Sequence, residues 1–206
     1  AKMEGRSPAG MDAATAALFP DRLVDSELGE IPEGWEVGTV DAIAKISSGK
    51  RPTGRSDQQT PDYNYPLLGG GGQMGYVPTP LYEKPFLYTG RVGTLGQIFR
   101  VSDPSWPSDN TLVIEPKEGF FNFAYFVLCG FDLITLNRGS TQPLLTQTDL
   151  KQQQFVSPPD DLVKRFERNT ASLFIRIDAN KSESRTIAAL RDALLPKLLS
   201  GELEVE

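Results

Sequence analysis

The sequence predicts an α+β fold: a globular domain of short strands and helices, followed by a long C-terminal helix of the coiled-coil-forming kind. Three observations carry that expectation. Short apolar runs broken by glycine and proline fill residues 31–157, without strand–helix–strand alternation. From Pro159 to Gly201 there is no intervening glycine, and the next proline is Pro196. Over that stretch apolar residues recur at alternating spacings of three and four: Val163, Phe166, Leu173, Ile177, Ile187, Leu194 and Leu198.

Pro158-Pro159-Asp160-Asp161 ends an extended segment and supplies carboxylates for a helix start. The remaining slots of the ladder hold Thr170, Asn180, Ser184 and Arg191. The pattern reads as one helix of roughly 35 residues, about 50 Å long. A repeat of 3.5 residues is a seam that calls for a second helix. Folding back on its own domain is the commoner fate of an apolar stripe, but this helix outruns a head about 30–40 Å across. Helix pairing through Val163, Phe166, Leu173, Ile177, Ile187 and Leu194 is therefore expected, with the polar Asn180 and Ser184 fixing register. The chain divides into an N-terminal arm (1–30), a head (31–157), and a spacer or dimerisation helix with its tail (158–206).

Composition removes several classes of function. The 206 residues contain no histidine, so Ser-His-Asp, Cys-His and Cys/His zinc chemistry are unavailable within the chain. The lone Cys129 cannot form an intrachain disulfide, and its apolar neighbours Phe126, Val127 and Leu128 read as a buried setting. No apolar run is long enough to span a membrane, and Ala13–Phe19 is too short for a signal peptide, so the expected location is cytoplasmic. The net charge of −6 is spread along the chain rather than blocked. A protein that binds DNA alone usually carries a basic domain, so a nucleic-acid role here needs a local basic face or a partner supplying phosphate contacts.

Along the arm, Asp12 caps a short helical turn through Ala13–Leu18, followed by Phe19-Pro20. Ile31-Pro32-Glu33-Gly34-Trp35 is a turn delivering a tryptophan read as a core anchor. Ser47-Ser48-Gly49-Lys50-Arg51-Pro52 is not a phosphate loop, because Arg51 stands where serine or threonine is needed and the first glycine is missing. Lys50, Arg51 and Arg55 suit contact with a DNA backbone, although a solvated loop is the commoner explanation. Tyr65–Leu68 is a short strand running into four consecutive glycines and then Gln73. The glycines allow close backbone approach to a surface, and Gln73 has the groups of an adenine reader; the plainer alternative is a hairpin whose glycines serve geometry. Phe86–Thr89, Leu95–Val101 and Thr111–Ile114 read as strands, and Asn122–Phe131 as an apolar helix. Asn137–Pro143 is a further exposed polar loop.

These pieces, in this order, resemble the specificity subunits of type I restriction–modification systems. The residues that carry the resemblance are Ile31–Trp35, Ile46–Pro52, Tyr65–Gly72 with Gly75-Tyr76, Gly90–Thr94, Trp106–Asn110, Gly139–Gln142 and Leu194–Gly201. The resemblance implies a non-catalytic subunit that reads double-stranded DNA. In the family, two target-recognition domains, each followed by a long helix, read the halves of a split sequence, and the two helices lie antiparallel. It also implies methyltransferase subunits that bind S-adenosylmethionine, and restriction subunits that use ATP and Mg, with no cofactor on this chain. One head and one helix make a half-length form, whose partner would be a second copy of itself with a palindromic split target. Within that frame Lys50, Arg51 and Arg91 are candidates for phosphate contacts. Gln73, Arg138, Ser140, Thr141 and Gln142 are candidates for base edges or nearby backbone, and target choice falls to less patterned residues such as Gly54–Asp62. No catalytic or metal-ligating residue is expected.

Two other classes stay in view. A DNA amino-methyltransferase needs an Asn/Asp-Pro-Pro-aromatic motif, and the nearest string, Ser157-Pro158-Pro159-Asp160, lacks both outer residues. A scaffold or decoy that does not read DNA would keep the helix and dispense with the loops.

Overall fold

The computed structural model describes residues 2–6, 9–139 and 143–202. It divides into two units, Ala1–Glu167 and Arg168–Glu206.

The first unit opens with a 3-10 turn and α1 (Ala13–Ala17), where the Asp12 carboxylate accepts from the Thr15 amide and hydroxyl at 2.9 and 2.7 Å. A hairpin, β1 (Leu23–Ser26) and β2 (Gly29–Pro32), follows within the segment read as an arm. Next come β3 (Glu36–Thr39), α2 (Val40–Ile43), β4 (Ala44–Ser48), β5 (Tyr65–Gly69), β6 (Gly72–Val77), β7 (Phe86–Gly90), β8 (Ile98–Val101), β9 (Trp106–Pro107) and β10 (Thr111–Pro116). The unit closes with α3 (Phe121–Cys129), α4 (Gln147–Lys151), β11 (Gln154–Ser157) and the first two turns of α5 (Asp160–Leu199). The third expected strand is shorter than Leu95–Val101 because Leu95, Gly96 and Gln97 belong to the loop after β7.

Its centre is an antiparallel four-stranded sheet in the order β4-β10-β7-β8. Strand periodicity explains why both faces are buried. Leu87, Leu112 and Ile114 point to one side, where they meet Val40, Ala124, Leu128, Leu145 and Leu150 from helices and loops. Phe86, Tyr88 and Val113 point to the other, against Leu68 of a three-stranded sheet ordered β6-β5-β9. Burying each such side chain contributes about 1.5–3 kcal/mol. Burial also pushes the Tyr88 phenol up to about 12. A separate pair, β3 with β11, ties residues 36–39 to 154–157 and so sets where α5 begins.

The start of α5 belongs to the head. Leu162 and Val163 are buried, and the Phe166 ring stands edge-on to Phe123 and Phe126 at 6.3 and 5.6 Å. Glu167 accepts the Phe123 amide at 2.7 Å, placing a carboxylate on the otherwise uncapped N-terminus of α3. Arg165 reaches Asp12 at 3.0 Å and fastens the arm. Val163 and Phe166, expected in the helix-pairing seam, are therefore taken up within the head.

Two other expectations are corrected. Trp35 is half-buried against Phe19, 6.0 Å between ring centres, because its turn lies beside the arm rather than over the central sheet. Cys129 is exposed, since Ala124 and Leu128 form the inward stripe of α3 and Cys129 falls outside it.

In the second unit, α5 continues unbroken to Leu199, making a helix of 40 residues with Pro196 in its last turn. Leu173, Ile177, Ile187, Leu194 and Leu198 all expose more than a third of their surface. The polar Asn180 and Ser184 interrupt that stripe near its middle and flank a shallow hollow with Ile177 and Lys181.

Candidate nucleic-acid interface

The candidate residues sit on loops that grip one another through the backbone. At the end of β4 the Gly49 amide donates to Thr111 O at 3.1 Å and the Lys50 amide to Pro107 O at 3.0 Å. The Trp106 indole N–H in turn donates to Lys50 O at 2.6 Å. A Cβ on Gly49 would lie 2.2 Å from Ser108 O and 2.4 Å from Pro107 O, so only glycine fits. The Lys50 side chain is exposed beyond this clasp. Arg51 follows, with Nε and Nη2 each 3.1 Å from Asp109 Oδ2.

Part of the glycine run serves local geometry. β5 and β6 form a tight hairpin through Gly70-Gly71, and a Cβ on Gly70 would meet Gly90 Cα at 3.2 Å and Thr94 O at 3.3 Å. The hairpin tip and the loop after β7 cross in near backbone contact. Gln73 is exposed on β6, and its amide donates only a long bond, 3.4 Å, to Gly75 O. Arg91 joins two loops, donating its amide to Asn110 O at 2.8 Å and accepting the Leu145 amide at 2.9 Å. Its half-buried side chain reaches Ser48 Oγ at 3.4 Å, while Nε is buried without a partner. Gln147 was not singled out by sequence. Its amide donates to Ile46 O at 3.3 Å and accepts from the Ser48 amide at 3.2 Å, covering the free edge of β4 as another strand would.

Arg138 is ion-paired within the head, although 69% of its side chain stays exposed. Its Nη2 and Nε lie 2.6 and 2.9 Å from Asp149 Oδ1, and Asp149 is buried. The same carboxylate accepts the Thr146 hydroxyl at 2.6 Å, and Thr146 Oγ1 caps α4 by accepting the Asp149 amide at 3.1 Å. Arg138 is thus a strut for the segment leading into α4. Ser140, Thr141 and Gln142 lie outside the described residues.

The Thr146 hydroxyl, and after it the Arg138 guanidinium, hold the Asp149 carboxyl below the ordinary aspartate range. A depressed folded-state value means the bonds contribute fully at neutral pH and fade as pH falls through that value. Asp149→Ala is expected to cost about 2–3 kcal/mol at pH 7. The gap from wild type should narrow from roughly pH 4 downward. Urea unfolding of both proteins between pH 7 and pH 3 checks this; a gap unchanged with pH would show that the charge is not what stabilises the cap.

Between the loop after β4 and the turn after β9 lies a cleft of about 360 Å³, lined among others by Arg51, Arg55, Leu67, Met74, Ser108 and Asp109. Its floor is apolar and its rim carries charges of both signs. Ser108 Oγ is buried there without a hydrogen-bond partner. Arg55 lies 3.9 Å from Asp57, so each arginine here faces an aspartate and the rim is close to neutral. Such a surface holds phosphate weakly by itself. Its amides and guanidinium groups suit directional hydrogen bonding better. Among the described residues no cluster could hold a metal ion, and no helix is long and apolar enough to cross a membrane.

Residues 32–165 match the family described as the type I restriction modification DNA specificity domain. The chain belongs to this family. It is 25% identical over 199 residues to the specificity subunit of the type I restriction enzyme MjaIX of Methanocaldococcus jannaschii, over 86% of this chain and 46% of that relative. With the HindI specificity subunit of Haemophilus influenzae it shares 24% identity over 224 residues, 93% of this chain and 48% of that one. The fold is shared with the solved S subunit of a type I restriction–modification system from M. genitalium, at a TM-score of 0.61 and 19% identity, over 81% of this chain and 46% of the other. The chain therefore spans about half the length of the curated relatives it matches. Those relatives are specificity subunits of type I restriction enzymes. Gly49, Gly70 and Gly90, which stand in the segments that carry the resemblance, are where the loops of this specificity domain touch.

Proposed function

We infer that this specificity domain reads one half of a split double-stranded DNA target and, through its helix, takes its place in a methyltransferase complex. The observation that carries the reading is one domain of the DNA specificity family, matched over residues 32–165, in a chain that continues as a 40-residue helix with an exposed apolar seam. An exposed stripe of this size calls for a cover. The cover proposed here is the helix of a second copy, laid antiparallel to the first along the apolar seam. Leu173, Ile177, Ile187 and Leu194 line that pairing, and Asn180 and Ser184 set its register. A twofold pair presents identical heads and selects a palindromic split site, with the helices setting the gap.

On the head, Lys50 and Gln73 remain open to DNA, Arg91 lies at the joint between the loops, and the less patterned Gly54–Asp62 loop is the segment that chooses the target. The net charge of −6 fits a division of labour in which methyltransferase subunits supply much of the phosphate contact. Those partners would carry S-adenosylmethionine, and restriction subunits ATP and Mg, all in the cytoplasm. Co-expression with methyltransferase subunits, followed by mapping of modified adenines in host DNA, tests the reading. One split motif, lost when this chain is deleted, is the expected result. Methylation that is unchanged by the deletion would mark a scaffold or decoy. S-adenosylmethionine binding by the purified chain would point instead to an enzyme.

A further inference from the structure

We propose that Arg51 reads a guanine in the half-site and that Asp109 is the positioning residue that aims it. The inference deepens the DNA-reading assignment above and depends on it.

An arginine has five N–H donors in a rigid planar fork. In this head Asp109 Oδ2 accepts from Nε and from Nη2, both at 3.1 Å, which fixes the plane of the guanidinium from its side. Both Nη1 donors and the second Nη2 donor are left without a partner among the described residues. The second Nη2 donor and the Nη1 donor beside it form the end-on edge of the fork, which matches the O6 and N7 acceptors that guanine presents in the major groove. The Arg51 side chain as a whole is 84% exposed, which leaves it open to a duplex.

Both partners stand on rigid mounts. Asp109 lies in a turn closed by the Thr111 amide and hydroxyl, which donate to Ser108 O at 3.0 and 2.7 Å. The Ser108 amide ties that turn to Leu68 O at 2.9 Å. Arg51 follows the Gly49-Lys50 clasp on the same turn. The side chain therefore gives up less freedom on binding than a free surface arginine would. Arg55, 3.9 Å from Asp57 and making no hydrogen bond to it, lacks this arrangement. A contact to phosphate draws on the arginine's charge as well as its donors, and Asp109 opposes it by neutralising Arg51.

The experiment is selection of bound sequences from a random duplex library by the full chain with its methyltransferase partner. Wild type, Arg51→Lys, Arg51→Ala, Asp109→Asn and Asp109→Ala are compared. The wild-type half-site should contain a guanine preferred on the order of tenfold or more over other bases. Arg51→Lys and Arg51→Ala should erase that preference and leave the other positions of the motif as they were. Asp109→Ala should weaken the same preference while binding to random duplex rises. Asp109→Asn, which keeps an acceptor for Nε, should recover part of the preference. If wild type selects a motif and the Arg51 variants lower affinity evenly at every position, Arg51 is a phosphate contact and the proposal is overturned. If wild type selects no motif at all, the DNA-reading assignment itself fails and takes this inference with it.

Discussion

Gly90→Ala should lower the stability of the head by about 3 kcal/mol or more. A Cβ at this position would lie 1.8 Å from Thr94 O and 3.1 Å from Gly70 Cα, and both neighbours are backbone. No rotamer change relieves such a clash, so the loop after β7 must move off the hairpin tip. For a domain of this size the melting temperature falls by roughly 6–12 °C. Selective DNA binding should fall with it, because the same movement shifts Arg91 and the segment at Leu145. Gly54→Ala is the control. Its Cβ would meet only the Tyr63 hydroxyl, at 3.4 Å, which is ordinary contact. That variant should be neutral or stabilised by up to about 1 kcal/mol through the unfolded state. Calorimetry on the pair decides the matter; equal melting temperatures would mean that the close approach of the loops does not exist in solution.

The second large effect concerns the helix. Leu173→Asp combined with Ile177→Asp should convert a twofold pair into single chains while the head melts where it did before. Both residues lie beyond Glu167, outside the unit that carries the core. In a pair, four apolar side chains are lost at about 1.5 kcal/mol each, which weakens association by roughly four orders of magnitude. Sedimentation of wild type and variant at micromolar concentration reads this directly. A wild-type chain that sediments as a monomer would remove the antiparallel pair from the proposed function, whatever became of DNA reading. Val163 and Phe166 make poor targets for this test, because their substitution damages the head.

How much could be read in advance follows from which features are local. Phe86–Thr89 and Thr111–Ile114 were legible as strands because each is a short run rich in apolar and β-branched residues bounded by proline, glycine or asparagine, the mark of a strand buried on both faces. The helix to Leu199 was legible because no glycine, and no proline before Pro196, breaks the run that starts at Asp160. The β1–β2 hairpin was missed, since its exposed residues show no apolar alternation strong enough to mark it. The ion pair of Arg138, read in the sequence as a candidate DNA contact, was not foreseen. Its partner Asp149 lies eleven residues away on α4, and no local pattern announces that pairing. Gln147 was passed over for the same reason, because its task is to cover a strand edge 99 residues earlier.

The order of apolar and polar residues by itself determined an α+β head, a long C-terminal helix with one apolar stripe, and the absence of histidine chemistry. Those properties depend on neighbours within a few residues, where side-chain period and backbone preference act. Only the tertiary structure decided which glycines are contact points, which arginines are already neutralised, and where the apolar stripe stops serving the head. Each of those depends on groups brought together from distant parts of the chain. A hydrogen bond or a steric clash acts over about 3 Å of space, whatever the separation along the chain.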